Sequence, residues 1–167
     1  ELKGFKSFAN DTTLHFNEQI TGVVGPNGSG KSNIVDAIRW VLGEQKSAEL
    51  RADKITNVIF NGSKNKKAAP YAKVSLVFEN TNHRLPIDFP EVAISREVYQ
   101  NGDSVYKINN TVCRLKDITS LFADTGIGSN TYAIIGFGMV EELLNNRDNH
   151  RRTMLEQTAG ISKFKIR

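Results

Sequence analysis

The octapeptide GPNGSGKS, from Gly25 to Ser32, constrains this chain more than any other stretch. It fits the spacing G-x-x-x-x-G-K-[ST], which is typical of a phosphate-binding loop between a strand and a helix. The run from Ile20 to Val24 is apolar and β-branched and predicts a buried strand. The residues from Ser32 to about Leu42 have the apolar spacing of a helix. A chance match at a glycine-rich turn would not need these two flanks.

The residue types in this loop are suited to a polyphosphate. Glycines let the backbone curve so that several N–H groups point inward, and the N-terminus of the following helix adds a partial positive charge. Lys31 is expected to contact the β and γ phosphates, and the Ser32 hydroxyl is expected to coordinate Mg²⁺. The candidate nucleotide-binding residues here are Gly25, Pro26, Asn27, Gly28, Ser29, Gly30, Lys31, Ser32 and Asn33.

Composition bounds the setting in which such a loop would work. The 167 residues suffice for one domain with a real core, or for part of a larger one. The 22 Lys and Arg against 18 Asp and Glu give a net charge of +4, which permits a polyanionic partner without requiring one. Cys113 is the single cysteine, and the sequence has no leader or long apolar span, so we expect a reducing cytosolic compartment and no membrane segment. Because the chain starts without Met and stops in a charged stretch, we expect both ends to be cut from a longer protein.

Two short antiparallel strands are predicted ahead of the loop, over residues 1–8 and 12–16, where apolar residues alternate. They would be joined near residues 10–11. A β layer beside a phosphate loop is well placed to hold a nucleotide base, so Lys6 and Ser7 are candidate adenine or ribose contacts. The alternative is that both are solvated turn residues.

A β-rich meander is predicted beside this nucleotide core. Alternating segments indicate strands over 72–78, 91–99, 104–108 and 111–113, with turns at 101–103 and 109–110 and an irregular connection over 83–90. Arg114 to Phe122 has helical spacing, with Arg114, Lys116 and Asp117 free to face outward. Arg51 and Lys54 are predicted in a loop after the first helix, and the basic run 64–67 is predicted to be a solvated loop tip. Further on, a strand is predicted over 132–135 and helices from Met139 and Asp148.

Hydrolysis of a nucleoside triphosphate needs a second carboxylate site that holds the metal and orients water. That site is typically four apolar residues ending in Asp, with Glu beside it. The nearest match, Leu121 to Asp124, is followed by Thr125, so the sequence predicts half an active site. The motifs of small GTPases and the lid of nucleoside kinases are also missing from the sequence.

Several motifs, in order, resemble one family. The chain is similar to the N-terminal head segment of SMC (structural maintenance of chromosomes) proteins, above all the bacterial chromosome-segregation type. The matching segments are ELKGFKSF (1–8), GPNGSGKSNIVDAIRWVLGEQ (25–45), LRADKITNVIFNGS (50–63), CRLKDI (113–118), DTGIGS (124–129) and the closing VEELLNNRDNHRRTMLEQTAGISKFK.

This resemblance implies an α/β fold, the N-terminal lobe of a P-loop NTPase of the ABC type. In the family, the head is split between the two ends of the chain, and the C-terminal half carries the second carboxylate motif. Two heads sandwich two ATP molecules with Mg²⁺. The resemblance further implies a head lobe over 1–160, a coiled coil that begins at 161–167, non-specific DNA binding, kleisin-type accessory subunits, and a cytoplasmic, nucleoid-associated protein.

The resemblance also carries over single positions. Arg51 matches an arginine that reaches the ATP phosphates across the head dimer. Lys54, Arg114 and Lys116 match basic positions of the DNA-binding surface, although solubilising side chains are the alternative. The Lys6 and Ser7 turn lies by the base in the family. One position departs from the pattern, because Phe137 stands where the family usually has a glutamine that contacts Mg²⁺ and the attacking water.

Two further functions stay open. One is another ABC-type DNA-repair ATPase of the RecF or RecN kind, which shares the phosphate loop but not the 50–63 and 113–118 runs. The other is a non-catalytic module that senses nucleotide or binds a partner, which the phenylalanine at position 137 favours.

Overall fold

The computed structural model describes residues 1–16, 18–44, 54–122, 125 and 134. Within them the helices are α1 (Lys31–Val41) and α2 (Leu115–Phe122), and a 3-10 turn spans Ile55–Val58. The strands are β1 (Leu2–Lys3), β2 (Tyr71–Glu79), β3 (Glu91–Tyr99), β4 (Ser104–Ile108) and β5 (Thr111–Cys113).

The five strands form one antiparallel sheet in the order β1-β2-β3-β4-β5, so the predicted meander is confirmed. Its turns have the backbone that tight hairpins need. Gly102 has φ +92°, and Asn109 and Asn110 have φ +45° and +66°. Asn109 and Asn110 form a two-residue turn between Ile108 and Thr111, where left-handed residues match the twist of the strands, and Asn tolerates this conformation better than most side chains.

The core lies between helix α1 and one face of the sheet. Along β3, the side chains of Val92, Ile94 and Val98 alternate toward this inner face and are fully buried. Trp40 of α1 is also fully buried, and its ring lies 5.3 Å from that of Phe5. The alternating apolar side chains of the strand and the apolar face of the helix therefore pack in one cluster.

The predicted boundaries of these elements agree with the structure to within one residue. Helix α1 begins at Lys31 and ends at Val41, and α2 begins at Leu115 rather than Arg114. Gly43, with φ +106°, terminates α1 as a left-handed residue after the last turn. The basic run at 64–67 is exposed, as predicted for a loop tip.

The prediction of a buried strand over 20–24 is wrong for the chain as the structure describes it. Ile20 is 90% exposed and Val24 is 94% exposed, and the run has no strand pairing among the described residues. An apolar, β-branched run indicates suitability for burial in a parallel sheet, but such a strand also needs covering segments. None of the described strands pairs with this run.

The strand predicted over 12–16 is reduced to one pairing. Thr12 exchanges two backbone hydrogen bonds with Leu2, but the residues after it are irregular and Phe16 is 53% exposed. The strand predicted over 1–8 ends at Lys3, because Gly4 and Lys6 both have positive φ and turn the chain. β1 pairs mainly with β2, with Leu2 opposite Val74.

Several predictions fall outside the described residues. They concern Arg51, Phe137, the segment DTGIGS (124–129) apart from Thr125, the helices from Met139 and Asp148, and the start of a coiled coil at 161–167. Of the strand predicted over 132–135, only Ile134 is described, and its carbonyl accepts a hydrogen bond of 3.2 Å from Nη2 of Arg39. These predictions, with the domain boundary at 160, stay predictions.

Candidate functional site

The phosphate loop leads directly into helix α1. Gly30 is the residue before the helix and has φ +91°, and Gly28 has φ +81°. At Gly30 a Cβ atom would lie 2.5 Å from the Ser7 Oγ, so the position has no room for a side chain. The two glycines therefore allow a curved backbone that any other residue would strain.

The amides of this loop are open. Among the described residues, no acceptor is bound to the N–H groups of Gly28, Gly30, Lys31 or Ser32. The first N–H groups of a helix have no partner within the helix, and they carry its positive partial charge. This arrangement is an anion cradle that fits a polyphosphate.

Lys31 is the charged group of the cradle. Its Nζ donates to the carbonyl oxygens of Gly25, at 2.6 Å, and Pro26, at 2.7 Å. The ammonium group therefore lies across the loop that precedes its own helix. Ser32 is exposed in the first turn of α1, where its hydroxyl is accessible to a metal ion.

The turn that contains Lys6 and Ser7 lies against the same loop. Ser7 Oγ accepts a hydrogen bond of 2.9 Å from Asn33 Nδ2, which places the hydroxyl beside the first turn of α1. Lys6 Nζ donates to Asp36 Oδ2 at 2.6 Å, and both side chains are largely buried. The structure thus brings Ser7 to the phosphate loop, whereas Lys6 is tied to Asp36 of α1, an aspartate that the sequence analysis did not single out.

The predicted DNA-contacting residues are exposed. Arg114 and Lys116 flank Leu115 at the start of α2, whereas Lys54 precedes the 3-10 turn. Asp117 Oδ2, in the first turn of α2, accepts from the Arg114 backbone N–H at 2.8 Å, as the side chain at this position does in a capping box. This hydrogen bond, together with the nearby cationic side chains of Arg114 and Lys116, lowers the pKa of the Asp117 carboxyl.

Among the described residues, four buried charged residues were not singled out by the sequence analysis: Asp36, Glu44, Arg96 and Glu97. Asp36 and Arg96 are 5% and 2% exposed. The sequence did carry a signal for Arg96. It occupies an inward-facing position of β3, two residues from Ile94 on one side and from Val98 on the other. A charged residue in an otherwise apolar alternation indicates a buried interaction.

The described residues carry neither a metal-binding cluster nor a membrane-spanning helix. They contain no group of three or more His, Cys, Asp or Glu side chains that could hold a metal ion. Among the same residues, no helix has both the length and the apolar character needed to cross a membrane.

Comparisons with known proteins place the chain in a family. Residues 1–133 match the family described as RecF/RecN/SMC N terminal domain. A chromosome partition protein Smc from Lactiplantibacillus plantarum is 53% identical over 165 residues, which are 99% of this chain and 14% of that protein. The chain therefore spans about one seventh of the length of this relative.

Solved structures agree with this assignment. One, from work on ATP-driven dimerization and DNA stimulated activation of SMC ATPases, has a TM-score of 0.85 and 38% identity, over 94% of this chain and 95% of that chain. An Smc head domain from Pyrococcus furiosus, bound to the C-terminal domain of ScpA, has a TM-score of 0.90 and 38% identity, over 98% of this chain and 42% of that chain. This chain belongs to the SMC family and is the N-terminal part of the head.

Proposed function

We propose that this chain is the ATP-binding half of an ABC-type ATPase head that organises and segregates chromosomes. The observation that carries the proposal is the phosphate loop, whose open amides and Lys31 lie at the start of α1. A triphosphate presents the charge and the acceptor oxygens that such a cradle binds. Similarity to chromosome partition proteins supports the biological setting.

Each residue at the cradle has a proposed role toward ATP. The backbone of residues 25–30 wraps the phosphates, Lys31 binds the β and γ phosphates, and Asn33 supports the Ser7 hydroxyl beside the loop. Ser32 holds Mg²⁺, which offsets charge on the phosphate oxygens when it is bound. Lys6, which is paired with Asp36, orients the turn so that Ser7 contacts the base or ribose side of the nucleotide.

The C-terminal half of the same head is the first proposed partner. Ile20, Val23 and Val24 are exposed although they have the composition of a buried strand. A cleft of about 560 Å³ between α1 and β2 is lined by apolar groups that include Leu14, Phe16 and Ile38. Strands from the C-terminal half would cover both surfaces and supply the missing carboxylates. ATP turnover by this chain alone is therefore expected to be nearly absent.

A second head is the next proposed partner. ATP held by one phosphate loop would be capped by the other head, with Arg51 reaching the phosphates across the dimer. One related structure comes from work on ATP-driven dimerization of SMC ATPases, which supports this arrangement. Phe137 has no lone pair for a metal, so the water-positioning step is slow or is completed by solvent. A non-catalytic, nucleotide-sensing head is the second candidate function, and it rests on this residue alone.

Non-specific DNA binding is proposed for Lys54, Arg114 and Lys116. All three are exposed, and cations on an open surface neutralise phosphates without reading the sequence. Kleisin-type subunits are proposed as accessory partners because a similar head is bound to ScpA. The expected location is the cytoplasm, on the nucleoid.

The test uses a head completed by its C-terminal half. ATP binding, ATP-dependent dimer mass and turnover are measured for the wild type and for Lys31→Ala, with Lys64→Ala at the exposed loop tip as the matched loss of one lysine. We expect Lys31→Ala alone to abolish turnover and dimerisation. Unchanged turnover in that variant would refute the proposal, and so would steady hydrolysis by residues 1–167 without a C-terminal half.

A further inference from the structure

Arg96 is the most deeply buried cation of the described residues. It is 2% exposed, on the inner face of β3, and its guanidinium carbon lies 4.6 Å from the Trp40 ring and 4.7 Å from the Tyr106 ring. Burial lowers the pKa of the guanidinium, but an arginine keeps its charge at any physiological pH. A buried charge of this kind persists only where the surrounding groups compensate it.

The compensation comes from the end of helix α1. Nη1 of Arg96 donates to the carbonyl oxygens of Trp40, at 3.0 Å, and of Glu44, at 3.1 Å. Nε donates to Ser104 Oγ at 3.3 Å. The last carbonyls of a helix lack partners within it and carry negative partial charge, so a cation there is favourable. Arg96 therefore ties the carboxyl end of α1 to β3 and β4.

The two ends of this helix lie beside the two proposed binding sites. At its start lies the phosphate loop. At its end, Gly43 packs against Leu115 so closely that a Cβ on the glycine would lie 2.5 Å from the leucine Cδ1. Leu115 stands between Arg114 and Lys116, the proposed DNA contacts of α2. The carboxyl end of α1 is thus held by Arg96 on one side and touches the basic first turn of α2 on the other.

We propose that Arg96 is a positioning residue that fixes the carboxyl end of α1 against the sheet, so that DNA bound at α2 acts on the phosphate loop through a rigid helix. The inference rests on the proposed function. It concerns coupling between two sites, and it assigns Arg96 no contact with either ligand.

Lysine cannot replace this arginine. The planar guanidinium stacks between two rings while its N–H groups reach two carbonyls and a hydroxyl, and an ammonium group has neither the plane nor the fork. Arg96→Lys keeps the charge and is expected to leave the helix end loosely held. Leu115→Ala is a second, milder variant, because it opens the contact with Gly43 without changing a charge.

The experiment uses the full-length protein, with basal and DNA-stimulated ATP turnover measured beside DNA affinity and ATP affinity. Ile94→Val, in the same strand, removes a core methyl group and serves as the control for lost stability. We expect Arg96→Lys and Leu115→Ala to lower the ratio of stimulated to basal turnover by about threefold or more, with both affinities within about twofold of wild type. The control should keep the wild-type ratio.

The outcomes distinguish failure of the proposed role of Arg96 from failure of the proposed function. A wild-type ratio in both test variants would overturn the role of Arg96, and so would an equal fall in the Ile94→Val control. If Arg96→Lys does not fold, the ratio in Leu115→Ala decides alone. Wild-type turnover that DNA does not stimulate also overturns the coupling. The proposed function fails instead if Lys31→Ala retains turnover or if residues 1–167 alone hydrolyse ATP steadily.

Discussion

The Nζ of Lys6 lies 2.6 Å from Oδ2 of Asp36, and the two side chains are 12% and 7% exposed. This ion pair joins the first turn of the chain to the helix that follows the phosphate loop. It lies one residue from Ser7, whose hydroxyl is beside Gly30 and Asn33. The nucleotide site is therefore supported by a largely buried charge pair.

Loss of one partner of this pair should cost more than loss of both. Asp36→Asn removes the carboxylate that lies against the largely buried Lys6 ammonium and is expected to destabilise the head by about 3 kcal/mol. The double change Lys6→Met with Asp36→Leu should recover most of that loss, because no buried charge remains. Chemical denaturation of the completed head measures both free energies of unfolding. A double variant as unstable as the sum of its single changes would contradict the assignment.

Gly30→Ala should abolish ATP binding. The added Cβ would lie 2.5 Å from Ser7 Oγ at a residue with φ +91°. Gly102→Ala is the matched control, because that glycine has φ +92° but open space around it. Both variants should lose about 1 kcal/mol or more of stability from backbone strain. Calorimetric titration with ATP distinguishes the two variants. Equal ATP affinity in both would refute the proposal that this loop binds the nucleotide.

Acid should weaken the outer face of the sheet through Glu97. Burial raises the pKa of this carboxyl, but hydrogen bonds from Lys107 and Tyr99 and the charges of Lys107 and Lys73 outweigh it, so the pKa is lowered. A carboxyl whose pKa is lower in the folded than in the unfolded state stabilises the fold at any pH above its unfolded-state pKa. This contribution is lost as the pH falls through the folded-state pKa. This stabilisation is therefore lost below about pH 4.5, which is the ordinary pKa of a glutamate carboxyl.

Thermal melting of the wild type and of Glu97→Gln between about pH 6 and pH 3 tests this assignment. The Tm of the variant should start lower and fall less steeply with acid. Glu91→Gln, at an exposed position of the same strand, should keep the wild-type slope. Parallel curves for the wild type and Glu97→Gln would show that the carboxyl is not stabilised by its neighbours.

DNA binding should depend on three exposed basic residues, one before the 3-10 turn and two at the start of α2. Replacing Lys54, Arg114 and Lys116 with Ala should weaken affinity and flatten its dependence on salt by about one unit of slope per lost phosphate contact. The control replaces Lys64, Lys66 and Lys67, which removes the same charge from an exposed loop tip. If DNA affinity depends equally on salt in the two triple variants, DNA binds at another surface.

The phenylalanine at position 137 should limit turnover. Phe137→Gln in a complete head restores an amide that can contact Mg²⁺ and water, so the rate of ATP hydrolysis should rise while ATP affinity stays similar. Single-turnover kinetics measures the chemical step directly. An unchanged rate would mean that the metal shell is completed without this side chain, and an inactive head in both forms would favour the nucleotide-sensing alternative.

The sequence alone determined the local features of this protein. The phosphate loop, helix α1 and the meander from β2 to β5 could be read directly, because glycine spacing, periods of 3.6 and 2, and turn residues are all set within a few positions. The missing carboxylate motif was equally readable, since it is a linear pattern. Family likeness then followed from several such motifs in order.

Only the tertiary structure decided which distant residues meet. Lys6 contacts Asp36, and Arg96 donates to the carbonyls of Trp40 and Glu44. These residues are far apart in the sequence, so no local pattern predicts their contacts. The run from Ile20 to Val24 shows the converse, because its composition predicts burial while the described fold leaves it exposed. Suitability for burial is a property of a segment, whereas burial itself depends on a covering surface, and that surface is supplied by other parts of the fold.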